Sequence, residues 1–143
     1  MSVLNKIHVA VIGATGYSGL DLVYLLSKHP KVKILNLCAT KNLGKKISFF
    51  DKRIKKNLPK ITSVLKVNWK YIDLVFLSLP NGEAQKLIKK TFNKHIHLKY
   101  IDLSADFRIT NQTIYFNTYK IKHKAPNLLK HSIYSISEFN KKR

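Results

Sequence analysis

Apolar residues in this chain fall into short continuous runs divided by polar turns. Ile7-His8-Val9-Ala10-Val11-Ile12, Val32-Lys33-Ile34-Leu35-Asn36-Leu37-Cys38-Ala39, Asp73–Pro80 and Leu98–Leu103 each read as a strand, rich in branched residues and four to eight long. Between them the period changes. Residues 17 to 28 read as a helix that must stop at His29-Pro30, because proline cannot continue a helix. Glu83 to Phe92 puts Ala84, Leu87, Ile88 and Phe92 on one helical face. Residues 40–63 lack a clear period and read as loop with one short helix. Thr113–Tyr119 reads as a strand from its branched and aromatic residues, and Ala125-Pro126-Asn127 as a turn. Alternating strands and helices, with strands apolar on both faces, predict an α/β fold: an open, doubly wound, mostly parallel sheet in a single domain over residues 1–143.

Ligands of such sheets bind beyond the carboxyl ends of the strands. Four polar clusters fall there: Gly13–Gly19, Thr40-Lys41-Asn42, Pro80-Asn81-Gly82 and Ser104-Ala105-Asp106. The first, Gly13-Ala14-Thr15-Gly16-Tyr17-Ser18-Gly19, lies between strand and helix with glycine at every third position. Glycine allows a tight turn and close backbone approach, and unpaired N–H groups at the helix start favour an anion. The layout is that of a Rossmann-type dinucleotide site, although the spacing differs from the common Gly-x-Gly-x-x-Gly. Gly13, Thr15, Gly16, Tyr17, Ser18 and Gly19 are therefore candidate cofactor contacts; a tight loop without a ligand is the plainer reading.

A fold of this kind that prefers NAD places an acid on the ribose 2′-hydroxyl about 20 residues further on. Here that stretch is Ala39-Thr40-Lys41-Asn42, with no acid. A 2′-phosphate would be held by Lys41 and by a hydrogen bond from Thr40, so the expected cofactor is NADP. Lysine is common throughout the chain, so the missing acid carries more of the argument than Lys41 does.

Composition bears on this in one respect. The chain has 143 residues, 27 basic and 7 acidic, for a formal charge of +20. Only Arg53, Arg108 and Arg143 are arginine, whereas recognition of bases and phosphates favours the planar guanidinium. The lysines are spread along the chain beside 15 isoleucines and 11 asparagines, as an AT-rich coding sequence would produce. We therefore expect no nucleic-acid partner; the basic excess between Lys41 and Lys70 reads as solvated surface or as a local anion-attracting face. No apolar run approaches the roughly 18 residues of a membrane span, and the start of the chain leaves no room for a signal peptide, so neither membrane nor export is expected. One cysteine, Cys38, excludes an internal disulfide and fits a reducing cytoplasm. The histidines are scattered without metal-ligand spacing, so no metal is expected.

Four blocks then carry a resemblance: Val11–Leu22, Leu77-Ser78-Leu79-Pro80-Asn81-Gly82-Glu83-Ala84, Ile101-Asp102-Leu103-Ser104-Ala105-Asp106-Phe107-Arg108, and Ile133–Asn140. In this order they resemble N-acetyl-gamma-glutamyl-phosphate reductases, and the Asp102–Arg108 block is the most specific. Ser135 and Ser137 stand where glycine and proline are usual in the family, and Asn81 where histidine is common. The resemblance implies an NADPH-dependent reduction of N-acetyl-glutamyl 5-phosphate to the semialdehyde, with release of phosphate, in arginine biosynthesis. It implies that Leu79 and Pro80 lie beside the cofactor and that Ser104, Asp106 and Arg108 lie near the nicotinamide and the small-molecule substrate. Asp106 and Arg108 are equally readable as a loop-stabilising ion pair. Family members are longer, usually homo-oligomeric, and carry the nucleophilic cysteine in an Asn-Pro-Gly-Cys segment and the acid–base histidine in a second domain. The chain is thus expected to be a cofactor domain with no catalytic residue of its own and to be inactive alone. Cys38 is expected to be a small buried hydrophobe. An NADP-binding remnant without catalysis and a related semialdehyde dehydrogenase are the alternatives.

Overall fold

The computed structural model describes residues 6–136. Its centre is a five-stranded parallel sheet in the order β3-β2-β1-β4-β5. The strands are β1 (Ile7–Ile12), β2 (Val32–Cys38), β3 (Ile61–Thr62), β4 (Leu74–Leu77) and β5 (Lys99–Asp102). Helix α1 (Tyr17–Lys28) connects β1 to β2, α2 (Glu83–Thr91) connects β4 to β5, and α3 (Gln112–Tyr119) follows β5. The chain leaves β1 towards β2 on one side and returns beside β1 as β4 on the other, so the order reverses at β1.

Alternation along β1 builds both layers. Val9 and Val11 pack with Ala14 and Val23 of the α1 side and with Ile34 and Leu37 of β2. Ala10 and Ile12 pack with Val75 and Leu77 of β4 and with Ala84 and Ile88 of α2. The register of β1 against β2 slips between Val9 and Ala10, where Leu35 is passed over and a bulge bends the pair.

α1 runs over the predicted residues and stops at His29, whose N–H donates to the Leu26 carbonyl at 3.1 Å, just before Pro30. The loop after β2 holds a short 3-10 turn, Ile47–Phe49, and the two-residue β3. Ile47 and Ile54 bury it against the α1 side. Arg53 fastens it further: its Nε donates to both Asp51 oxygens at 3.0 Å, its Nη2 to Asp21 of α1, and its guanidinium lies 4.7 Å from the Tyr24 ring. Those bonds hold the Asp51 carboxyl below the usual carboxylate range.

One element differs in kind from the sequence expectation. Residues 113–119, read as a strand, lie in helix α3. Asn111 caps it, its side-chain oxygen accepting from the Ile114 N–H at 3.0 Å, and Lys120 closes it with φ 59°. A good cap and one tertiary anchor, the fully buried Tyr115, outweigh the β preference of Thr113, Ile114 and Tyr115. Likewise the turn expected at Ala125–Asn127 opens a longer 3-10 stretch, Pro126–His131.

Candidate functional site

The turn after β1 is made by two glycines in contact. Gly13 has φ +85°, and a Cβ there would lie 1.9 Å from the Ser78 carbonyl oxygen at the end of β4. A Cβ on Gly19 would lie 2.1 Å from the Gly13 oxygen. Both positions require glycine, and the helix start is drawn tightly onto the strand. Gly16 differs: a Cβ there would meet nothing closer than the Gly13 oxygen at 3.6 Å, and the residue is exposed. The Cys38 carbonyl at the end of β2 accepts from both the Gly13 N–H at 2.9 Å and the Ala14 N–H at 3.0 Å, which fixes the turn to the neighbouring strand.

Gly16 is the N-cap of α1, with no side-chain cap and no acidic residue in the first turn. Among the described residues the N–H groups of Tyr17, Ser18 and Gly19 find no backbone acceptor. An open face at Gly16 above unpaired N–H groups suits a phosphate. Tyr17 and Ser18 are exposed and Thr15 half-buried, all around this opening. Leu79 is half-buried beside Gly13, and Pro80 is exposed next to it. The geometry therefore gathers Gly13, Thr15, Gly16, Tyr17, Ser18, Gly19, Leu79 and Pro80 at the carboxyl edge where the strand order reverses.

Thr40 and Lys41 follow β2 along the same edge, both exposed. Asn42 at φ 62° and Gly44 at φ +82° turn the backbone, and the Gly44 N–H returns to the Ile61 carbonyl at 2.8 Å. The first carboxylate after β2 is Asp51, and Arg53 already engages it. Residues 39–50 therefore bring no carboxylate of their own to meet a ribose 2′-hydroxyl.

The loops after β4 and β5 are joined by a buried polar network that sequence reading missed. Asp106 is fully buried. Its Oδ1 accepts from the Gly82 N–H at 2.6 Å and from the Tyr115 hydroxyl at 3.0 Å, and its Oδ2 accepts from the Gln85 N–H at 3.2 Å. Gln85 in turn donates Nε2 to the Tyr115 oxygen at 2.7 Å and accepts the Lys124 N–H at 2.6 Å. Burial, and then the neighbouring Asp106, push the Tyr115 hydroxyl up to about 12, so it stays protonated and donates. His123 accepts the Ala125 N–H on Nδ1 at 3.1 Å, which leaves the proton on Nε2 to be donated to the Asp106 carbonyl at 2.8 Å. No local pattern marks Gln85, Tyr115 or His123, since each acts across 9 to 39 residues.

The ion pair read between Asp106 and Arg108 does not form among the described residues. Asp106 faces inward to N–H and O–H donors, while Arg108 is exposed, its guanidinium 5.4 Å from the Tyr134 ring. Ser104 donates both its N–H and its hydroxyl to Asp102 at 2.9 Å and accepts the Asp106 N–H at 3.1 Å. Ser104 and Arg108 help to line a groove of about 550 Å³ along the outer edge of β5, with Phe92, Ile101, Leu128 and Tyr134 among its apolar walls.

Cys38 is 1% exposed in the α2-side core, and burial pushes its thiol up to about 12. A neutral buried thiol is no nucleophile. Among the described residues no group of three or more metal-ligating side chains converges, and no helix is long and apolar enough to cross a membrane.

Comparison with known proteins bears on the whole chain. The N-acetyl-gamma-glutamyl-phosphate reductase of Ehrlichia canis (strain Jake) is 43% identical over 135 residues, which is 93% of this chain and 38% of that protein. The probable chloroplastic N-acetyl-gamma-glutamyl-phosphate reductase of Oryza sativa subsp. japonica is 35% identical over 94% of this chain and 32% of its own length. The chain thus spans about two-fifths or less of the length of the curated relatives it matches. Among solved structures, aspartate semialdehyde dehydrogenase with NADP from Candida albicans superposes with a TM-score of 0.57 at 26% identity, over 75% of this chain and 32% of that one. Residues 8–143 match the semialdehyde dehydrogenase NAD-binding domain, and the chain belongs to that family.

Proposed function

We propose that this chain binds NADP and forms the cofactor-binding domain of an N-acetyl-gamma-glutamyl-phosphate reductase. The observation that carries the cofactor half is the Gly13–Gly19 contact, which leaves Gly16 open above the unpaired N–H groups of α1. That cradle suits a pyrophosphate, with Thr15, Tyr17 and Ser18 around it and Leu79 and Pro80 towards the nicotinamide. Thr40 and Lys41 would take the 2′-phosphate, supported by the lack of any acid among residues 39–50 and by the pairing of Asp51 with Arg53. Similarity to reductases of that name at up to 43% identity supports the substrate half, against 26% for the aspartate semialdehyde enzyme.

When bound, the dinucleotide supplies a hydride that takes an acyl group to the aldehyde. This chain's own residues orient and bind. The α1 N-terminus holds phosphate, and the sheet edge fixes the two halves of the cofactor. Ser104 and Arg108 are the proposed substrate contacts, Arg108 as an exposed guanidinium able to grip a carboxylate or phosphate in a fork. Asp106, with its oxygens already occupied, supports them from behind rather than touching substrate. None of the chain's residues is proposed as the nucleophile. Unpaired Cys38 suits a reducing cytoplasm, and the exposed Ile101 and Leu103 along β5 suit a homo-oligomer.

Fluorescence titration tests the reading. NADPH should bind more tightly than NADH, and Lys41→Ala should narrow the difference. Equal affinities for the two cofactors would remove the NADP assignment.

A further inference from the structure

The two helices that start at the carboxyl edge of the sheet begin in opposite electrostatic states. α1 begins at Gly16 with no side-chain cap and no acid in its first turn. α2 begins at Gly82, which has φ +87° and no side chain with which to cap. Its cap comes from another loop: Asp106, 24 residues on, accepts the N–H of Gln85, which an N-cap side chain would serve, and that of Gly82, which the third residue of a capping box would serve. A buried carboxylate thus already satisfies the α2 N-terminus, whereas the α1 N-terminus is left for an external anion. The same carboxylate is held by the Tyr115 hydroxyl, and Gln85 ties Tyr115 to the backbone of Lys124.

We propose that Asp106 is a positioning residue: by capping α2 from the β5 loop it fixes Pro80-Asn81-Gly82 against the nicotinamide half of the dinucleotide, and so couples that loop to the order of residues 104–125. The inference rests on the proposed NADP site. It divides that site into two mechanically separate halves. The adenosine half stands on β1, β2 and α1 and makes no use of Asp106. The nicotinamide half depends on a charge supplied from β5 and on a hydroxyl supplied by α3.

The experiment compares two probes, NADPH and adenosine 2′,5′-bisphosphate, which carries only the adenosine half. Asp106→Asn keeps the shape but places an amide donor against a backbone donor. It should raise the dissociation constant for NADPH about tenfold, the size of a lost charged hydrogen bond, and leave that for adenosine 2′,5′-bisphosphate within about twofold. Tyr115→Phe, a milder change that keeps the ring and the Asp106 charge but removes the hydroxyl's bonds to Asp106 and Gln85, should weaken NADPH selectively by about threefold or more. Should Asp106→Asn fail to fold, the Tyr115→Phe ratio and amide exchange in the unaltered protein decide. The Gly82 and Gln85 amides should exchange more slowly with NADPH bound and unchanged with adenosine 2′,5′-bisphosphate. Equal losses for the two probes, no loss for either, or unaltered exchange with NADPH would overturn the positioning role. Failure of the unaltered chain to bind NADPH at all would instead remove the cofactor assignment, and this inference with it.

Discussion

Gly19 lies so close to Gly13 that a single added carbon on Gly19 would stand 2.1 Å from the Gly13 carbonyl oxygen. That contact, not the glycine spacing by itself, makes the start of α1 lie over the end of β1. Gly19→Ala should therefore destabilise the fold by about 1–3 kcal/mol, as overpacking does. Gly16→Ala should leave stability within about 0.5 kcal/mol while weakening NADPH, because its methyl would fill only the open face. Urea denaturation and cofactor titration of the two variants check the pair; equal effects on stability would contradict the assignment of the open face.

His123 gives a pH dependence whose direction is fixed by its surroundings. Burial holds its pKa below the ordinary histidine value, with the Asp106 carbonyl and charge opposing that more weakly. Above about pH 6.5 the ring is neutral in folded and unfolded chains alike. As the pH falls below that, the unfolded chain takes up a proton that the folded one resists, and stability declines. The urea midpoint should drop between pH 7.5 and 5.5, and the drop should be smaller in His123→Gln. An identical pH slope in the two proteins would show that His123 is not the group responsible.

Cys38 should be unreactive in the native protein and reactive on unfolding. A thiol reagent at pH 8 should modify it at the rate of the unfolding transition, since a thiol pushed up to about 12 is almost wholly neutral there. Rapid modification without unfolding would show that the strand end opens locally.

At the edge of the sheet the chain exposes Ile101 of β5 and Leu103 just beyond it, and Ile133 and Tyr134, also exposed, line the same groove. An apolar edge strand of this kind favours association. Light scattering should show the isolated chain growing in mass with concentration, and Ile101→Lys should suppress that growth. A concentration-independent monomer would count against this edge as the associating surface.

The parts of the fold readable in the sequence are those that local periodicity controls. α1 begins and ends where its pattern and Pro30 place it; the apolar runs of β1, β2 and β4 are strands buried within the sheet, and β5 is a strand at its edge with one side exposed. The glycine turn was readable for the same reason, since its residues are contiguous. α3 was not, because Thr113, Ile114 and Tyr115 favour a strand and the deciding contacts come from Asn111, Asp106 and Gln85. Asp106 and Arg108 were visible as a motif, but adjacency could not show that one faces inward and the other outward. A network closed across up to 39 residues leaves no spacing to detect.

From Val9 to Ile12, β1 is flanked by both β2 and β4, and both of its faces are covered. The glycine turn issues from this enclosed backbone; the Cys38 carbonyl accepts the N–H of its first residue, and the Ser78 carbonyl lies close on the other side. On the proposed reading, a phosphate arriving there would meet donors already aimed, with little left to freeze. Its affinity would be spared the entropy of ordering a loop, so a small anionic fragment should be recognised without the rest of the dinucleotide.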